Sequence, residues 1–344
     1  MSSARGPSTP GAEPGLIEVE CRYALHLPEA GLWLDPRRAK PLAFVSHAHA
    51  DHVARHARIL ASPVTAALLR SRYNIPADRI ASHAFGEPFA IGGFEAMLLP
   101  AGHIPGSAML HLTRAKDGTT LLYTGDFKLR AGRTTETAAP RPADILIMET
   151  TFGLPRYRFP ATAIVEERIV DFVNNTLASG DTPVLLGYSL GKAQEAYAIL
   201  SAHGIPALLY PTAAEMTRTC IAEGAPGLPE PSLFEGEVPA GHAVIAPPHA
   251  RKTKLLASLA KQRTAMLSGW ALQPAARFRY QVDAMIPLSD HADHPELLEC
   301  IRLVRPRRIL TVHGFAKEFA TELRSLGLDA WSASGGDQLE LPIR

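Results

Sequence analysis

The segment Ser46-His47-Ala48-His49-Ala50-Asp51-His52 constrains this chain more than any other. Three imidazoles and a carboxylate fall within six residues, directly after the apolar run Leu42–Val45, which reads as a strand. Nitrogen and oxygen donors at this density suit a borderline metal such as zinc. In extended backbone His47 and His49 project to one side, because side-chain direction repeats every two residues. If Asp51 opens a helix, Asp51 and His52 swing to another side and serve a second ion. The alternative is a polar loop with unrelated histidines, and donors elsewhere in the chain argue against it.

Those donors recur at strand ends. Ala101-Gly102-His103 follows the strand-like run Glu95–Leu99, Thr124-Gly125-Asp126 follows Leu121–Tyr123, and Val312-His313-Gly314 follows Arg308–Thr311. Each lies beside a glycine that lets backbone approach closely. One histidine after a strand is commonly a hydrogen-bonded loop residue. Seven donors at four strand ends (His47, His49, Asp51, His52, His103, Asp126 and His313) read more economically as a dinuclear site. Asp35, in Leu34-Asp35-Pro36, reads either as the carboxylate that orients a ligating histidine or as an Asp-Pro turn initiator.

The rest of the chain sets the frame. Residues 1–15 are small, Pro/Gly-rich and lack an apolar core, so they read as a disordered tail and not a signal peptide. Ile145–Glu149 closes a strand-rich stretch. Beyond Thr150 the texture changes to an alternation of helical and strand-like runs: Ala161–Ser179, Pro183–Gly187, Lys192–His203, Pro206–Tyr210, then Ala243–Ala246 and Ala265–Ser268. That rhythm is a parallel sheet covered by helices. Met285–Leu288, Pro295–Val304, Arg308–Val312 and Lys317–Leu326 read as a return segment of strand, helix, strand, helix. No run of about 18 apolar residues appears, which excludes a helical membrane span. Three cysteines, an odd number with no CxxC, argue against a disulfide framework and for a reducing, cytoplasmic setting.

Together these motifs resemble the metallo-β-lactamase fold. METTFG at Met148–Gly153, SDHAD at Ser289–Asp293 and TVHG at Thr311–Gly314 resemble motifs A, B and C of its β-CASP branch, which processes nucleic acids. TFGLPRYRFP, LGKAQE, SGW and SDHADHPELL are similar to bacterial exonuclease-like proteins associated with a DNA ligase and a helicase, themselves relatives of mRNA 3′-end processing factors. The resemblance implies an αββα sandwich built from 16–150 and 285–344, interrupted by an α/β β-CASP domain over 151–284. It also implies one zinc on His47, His49 and His103, a second on Asp51, His52 and His313, and Asp126 as the bridge. Glu149 and His291 carry over as catalytic residues beside the scissile phosphate, and Asp51 joins them. His294 has no counterpart and reads as the start of a helix.

Two adjacent ions would share a hydroxide and clamp both sides of an in-line displacement at phosphorus, so no serine or cysteine nucleophile is required. Manganese or iron also suits such donors. Ser189-Leu190-Gly191-Lys192 opens a helix after a strand, where Ser189 and Lys192 would meet a substrate phosphate; an ordinary N-cap at Ser189 is the competing reading. Glu149 would hold His291, which protonates the leaving oxygen or stabilises phosphate charge. The net charge of +1 gives no global attraction to nucleic acid, so cations must be local. Candidates are Arg37, Arg38 and Lys40; Lys128, Arg130 and Arg133; Arg156 and Arg158, with Tyr157 and Phe159 interleaved; and Arg251, Lys252 and Lys254. Each cluster taken alone reads as a solvated face. The expectation is a zinc nuclease acting on single-stranded or free-ended DNA in repair, with RNA as the alternative substrate. A small-molecule hydrolase would not need the long insert, and a non-catalytic scaffold would not need every donor.

Overall fold

The computed structural model describes residues 15–21, 24–259, 261–274 and 276–333. The stretch 1–14, most of the expected disordered tail, lies outside them. The described residues form three sheets. Five short strands between Leu25 and Ser82 build the first in sequence order. The second runs, edge to edge, Ala330–Ser332, Arg308–Val312, Ile145–Glu149, Thr120–Tyr123, Ala108–Arg114, Phe94–Pro100 and Pro88–Ile91.

These two sheets face one another because each strand alternates its apolar side chains. In Phe94–Pro100, Ala96 and Leu98 enter the core between the sheets, where they meet Leu27, Leu32 and Phe44 of the first. Met97 and Leu99 point the other way, onto the helices His294–Val304 and Ala316–Ser325. Helix His294–Val304 buries Leu297, Cys300, Ile301 and Val304, a stripe at helical spacing, and Asp293 with Glu296 forms its capping box. Helix Pro63–Tyr73 covers the outer face of the first sheet through Val64, Leu68 and Leu69. The result is four layers, helix, sheet, sheet, helix.

The third sheet is parallel throughout and runs Ser232–Leu233, Ala207–Leu209, Ala243–Ala246, Thr182–Leu186, Gln262–Leu267 and Ala284–Ile286. Both faces are buried, so Thr182–Leu186 reads as an apolar run: Leu185 faces one core, Val184 and Leu186 the other. Ala284–Ile286 corrects the expected boundary. The sequence starts the return segment at 285, yet this strand pairs with Ala265–Leu267 and joins the same sheet as Thr182–Leu186. The crossing back follows it.

Two helices of more than ten residues lie where apolar periodicity predicts none. Pro63–Tyr73 begins with Ser62, whose hydroxyl accepts from Thr65 N–H, has Pro63 in its first turn and ends on Asn74 in a left-handed conformation. Pro211–Ala222 has only its leading proline as a signal. All three cysteines are unpaired. Burial pushes Cys220 up to about 12 and Cys300 higher still, so both thiols are protonated and shielded. Maleimide labelling of the native protein should leave Cys220 and Cys300 unmodified, and both should react once the chain is unfolded.

Candidate metal centre and its surroundings

Strand order places the donors. Thr120–Tyr123, Ile145–Glu149 and Arg308–Val312 are parallel neighbours, so their C-terminal ends share one edge of the sheet. Asp126 follows the first, Glu149 ends the second and His313 follows the third. The same edge meets the segment after Leu42–Phe44, which carries His47 to His52, and the loop after Phe94–Pro100, which carries His103. Gly125 permits that approach: at its φ of +53°, an added Cβ would lie 2.6 Å from the Ser46 side chain. His313 itself sits at φ +59°, held by Thr150 Oγ1, which donates to its carbonyl at 2.6 Å.

The first donor set is His47, His49 and His103. His49 Nδ1 lies 3.1 Å from His47 Nε2 and 3.1 Å from His103 Nε2. These three atoms do not hydrogen-bond each other, because the opposite ring nitrogens already carry the protons. His49 Nε2 donates to Leu190 O at 3.1 Å, and His103 Nδ1 donates to Asp290 O at 2.9 Å. Ser46 Oγ gives its own proton to Asp35 Oδ2 at 2.6 Å, so it accepts from His47 Nδ1 at 3.0 Å. Burial pushes His47 and His103 well below the ordinary imidazole range and His49 to about 4, which keeps all three neutral. Three bare lone pairs thus converge on one point in the interior. That donor chemistry fits a zinc-like ion, each ligand having its far nitrogen tied to an acceptor.

Asp126 stands at the centre. Its Oδ2 is 3.3 Å from His52 Nε2, 3.7 Å from His47 Nε2 and 3.9 Å from both His103 Nε2 and His291 Nδ1. Burial alone would raise its carboxyl pKa, but His52 and His291 outweigh burial and hold it well below the usual range. His52, Asp126 and His47 form a second donor group. Burial would lower His52, yet Asp126 and Asp35 outweigh it and raise it well above normal. Asp51 lies 3.7 Å from His52 Nε2 with a largely exposed carboxylate, and the His313 ring is 5.5 Å from that of His52. Ala50–His52 forms a single 3-10 turn, which leaves Asp51 exposed while the His52 ring stays 4.1 Å from that of His47. The second set is therefore looser than the first.

Asp35 touches the donor cluster from behind. Its carboxylate accepts from Ser46 N, Ser46 Oγ and Tyr123 OH at 2.6–2.7 Å and lies 3.1 Å from His52 Nδ1. Glu149 is fully buried, accepts from Phe127 N at 2.8 Å, and has both oxygens 3.0 Å from His291 Nδ1. His294 begins the helix His294–Val304 and ties it to the next one through Glu322 at 2.9 Å.

The cations depart from the sequence expectation. Lys192 is buried and spends its ammonium on Asp290 Oδ2 at 2.6 Å, so it does not face a phosphate. Lys128 is 4% exposed, also buried inside the fold. Charge is visible in a sequence and burial is not. Ser189 caps no helix; Gly191 is the N-cap, and Ser189 Oγ pairs with Thr212 Oγ1 at 2.8 Å. Arg130 binds Glu296 and the carbonyls of Ser289 and His291, and Arg133 binds Glu166, so both brace the loops. Tyr157 is buried against Phe152, Trp270 and Phe315 instead of offering a stacking face. Arg156 and Arg158 remain exposed, and Arg158 lines a cavity of about 410 Å³ with Phe159 and Asp293, two residues from His291. Asp290, Ser46, Tyr123 and the Leu190 carbonyl are site residues that sequence reasoning missed, although Asp290, Ser46 and Leu190 stand inside quoted motifs.

Known proteins resemble this chain over most of its length. Residues 276–331 match the family described as "Zn-dependent metallo-hydrolase RNA specificity domain". A protein of Opitutus terrae named "Probable DNA ligase" is 46% identical over 330 residues, covering 95% of this chain and 32% of its own length. The Arabidopsis thaliana "DNA cross-link repair protein SNM1" is 27% identical over 297 residues, 78% of this chain and 60% of that one. The chain is similar to the β-CASP branch of the metallo-β-lactamase family, which these matches support. It spans less than two thirds of either relative. A crystal structure of a protein of unknown function from Enterococcus faecalis V583 shares the fold, with TM-score 0.58 and 16% identity over 87% of this chain and 80% of that one. No helix among the described residues is long and apolar enough to cross a membrane.

Proposed function

We propose that this chain is a metal-dependent phosphodiesterase that degrades DNA from a free or single-stranded end in repair. The observation that carries the reading is the convergence of three neutral imidazoles and Asp126 beside the Glu149–His291 pair, where the two halves of the molecule meet. Two zinc ions would fit the donors: His47, His49 and His103 would hold one, Asp51, His52 and His313 the other, with Asp126 facing both sets. Bound there, they would supply positive charge to a phosphodiester and a water acidic enough to attack it near neutral pH. Asp126 and Asp35 provide the buried negative charge that such ions need, and Asp35 with Tyr123 and Ser46 fixes the histidines' orientation. His291, its Nδ1 occupied by Glu149, has Nε2 left to donate a proton to the departing oxygen. Arg156 and Arg158, exposed beside this edge, offer charge to the nucleic-acid backbone.

DNA is favoured because the relatives are named for a DNA ligase and a DNA cross-link repair protein. The match to one third of the ligase supports action alongside end joining. RNA is the second reading, favoured by the RNA specificity domain matched at 276–331. A time course on end-labelled single-stranded DNA, duplex DNA and RNA, each with a 5′-phosphate or 5′-hydroxyl, tests both. Shortening of DNA alone supports the proposal, cleavage of RNA alone replaces it with the second reading, and an inert zinc-loaded protein overturns both.

A further inference from the structure

We infer that the insert fixes the orientation of the metal-ligating histidines, with Lys192 as the positioning residue, so that metal occupancy and docking of the insert are linked. The inference rests on reading His47, His49 and His103 as metal donors. Its starting point is the turn Gly187–Lys192, at the C-terminal edge of the insert's sheet between the strand Thr182–Leu186 and the helix Lys192–Ala202. None of these residues belongs to the donor set, yet the turn reaches it twice.

The first reach is direct: Leu190 O accepts the proton of His49 Nε2 and thereby leaves Nδ1 bare toward His47 and His103. The second passes through a buried ion pair. Lys192 Nζ donates to Asp290 Oδ2 at 2.6 Å, with side chains only 7% and 2% exposed. The backbone carbonyl of that same Asp290 accepts from His103 Nδ1 at 2.9 Å. Two of the three imidazoles therefore owe their tautomer to the insert or to a residue that the insert holds.

The turn is stiff enough to transmit this. Gln194 accepts from Gly191 N at 2.7 Å and donates to Ser189 O at 3.0 Å and Thr217 Oγ1 at 2.9 Å. Gly191, at φ +93°, packs so closely that an added Cβ would lie 2.5 Å from Ile104 Cγ2, next to His103. A buried ion pair adds little net stability, because desolvation offsets its attraction. What it supplies here is a fixed place for the Asp290 backbone. Groups that orient a ligand's far nitrogen govern metal affinity by roughly 10–100-fold when removed. Linkage is reciprocal: if the docked turn favours zinc, zinc favours the docked turn by the same factor.

The test measures zinc affinity of the full chain by competition with a chromophoric chelator. K192M and D290N should bind zinc roughly 10–100-fold more weakly than the native protein. K192R should recover most of that loss. K192M and D290N leave a buried charge without its partner and should also lower the melting point of the metal-free protein, so the affinities are read well below it. Hydrogen exchange on the native chain supplies the second measurement, which decides the matter if K192M does not fold. Added zinc should slow amide exchange across 188–193, a segment with no donor of its own. Native-like zinc affinity in K192M, or exchange in 188–193 indifferent to zinc, overturns the inference. A native protein that binds no zinc instead overturns the metal reading beneath it.

Discussion

Replacing Asp126 by alanine should remove at least one metal ion and lower phosphodiester cleavage by more than ~100-fold, with the fold intact. The magnitude follows from position: orienting groups behind a ligand are worth about 10–100-fold, and Asp126 is no orienting group. Its Oδ2 lies 3.3–3.9 Å from four imidazole nitrogens that belong to both donor sets and to His291. Without it, among the described residues His52 keeps Asp35 and the distant edge of Asp51 as anionic neighbours, and His47 loses its carboxylate contact at 3.7 Å. Elemental analysis and circular dichroism on the purified variant check the two halves of the expectation. Full activity in Asp126→Ala, or unchanged metal content, refutes the central role. Asp126→Asn should resemble alanine more than the native protein, since it keeps the shape and removes the charge.

How much of this was readable beforehand depended on what kind of atom does the work. His47, His49, His52, His103, Asp126 and His313 announce themselves because side-chain type and strand-end position are both written in the sequence. The parallel strands Thr120–Tyr123, Ile145–Glu149 and Arg308–Val312 then bring Asp126 and His313 to one edge, which the segments carrying the other four meet. The Leu190 carbonyl has no such signature, since every residue has one, and only the folded turn makes it special. Lys192 and Lys128 misled for a related reason: a lysine looks the same in sequence whether it faces a phosphate or a buried aspartate. Helix Pro63–Tyr73 hid because six consecutive residues, Val64 to Leu69, are buried, which erases the apolar stripe that marks a surface helix. The expected boundary between 284 and 285 cuts through the strand Ala284–Ile286, because hydrophobicity marks a strand without naming its partner. Distances between residues far apart in sequence were the missing information in each case.

The second large effect concerns His291. Alanine there should slow cleavage of a natural phosphodiester by roughly 10²–10⁴-fold, the usual range for a positioned proton donor, and leave metal content near that of the native protein. The geometry asks for this split. His291 Nδ1 is 3.0 Å from both oxygens of Glu149, a carboxylate fully buried and further held by Phe127 N. Burial would depress the imidazole's pKa, but Glu149 and Asp126 outweigh burial and raise it. An imidazole so held is more readily protonated near neutral pH than a free one, which suits a group that gives a proton to a leaving oxygen. A phosphodiester with a p-nitrophenolate leaving group separates that role from simple charge stabilisation, because such a group departs without a proton. If His291 donates, His291→Ala should slow the activated substrate far less than the natural one, and Glu149→Gln should show the same pattern more weakly. Equal losses on both substrates would leave His291 stabilising charge on the phosphate. Loss of a metal ion would instead make it a ligand, a role its place within 4.8 Å of the His103 and Asp126 donor atoms keeps open to measurement.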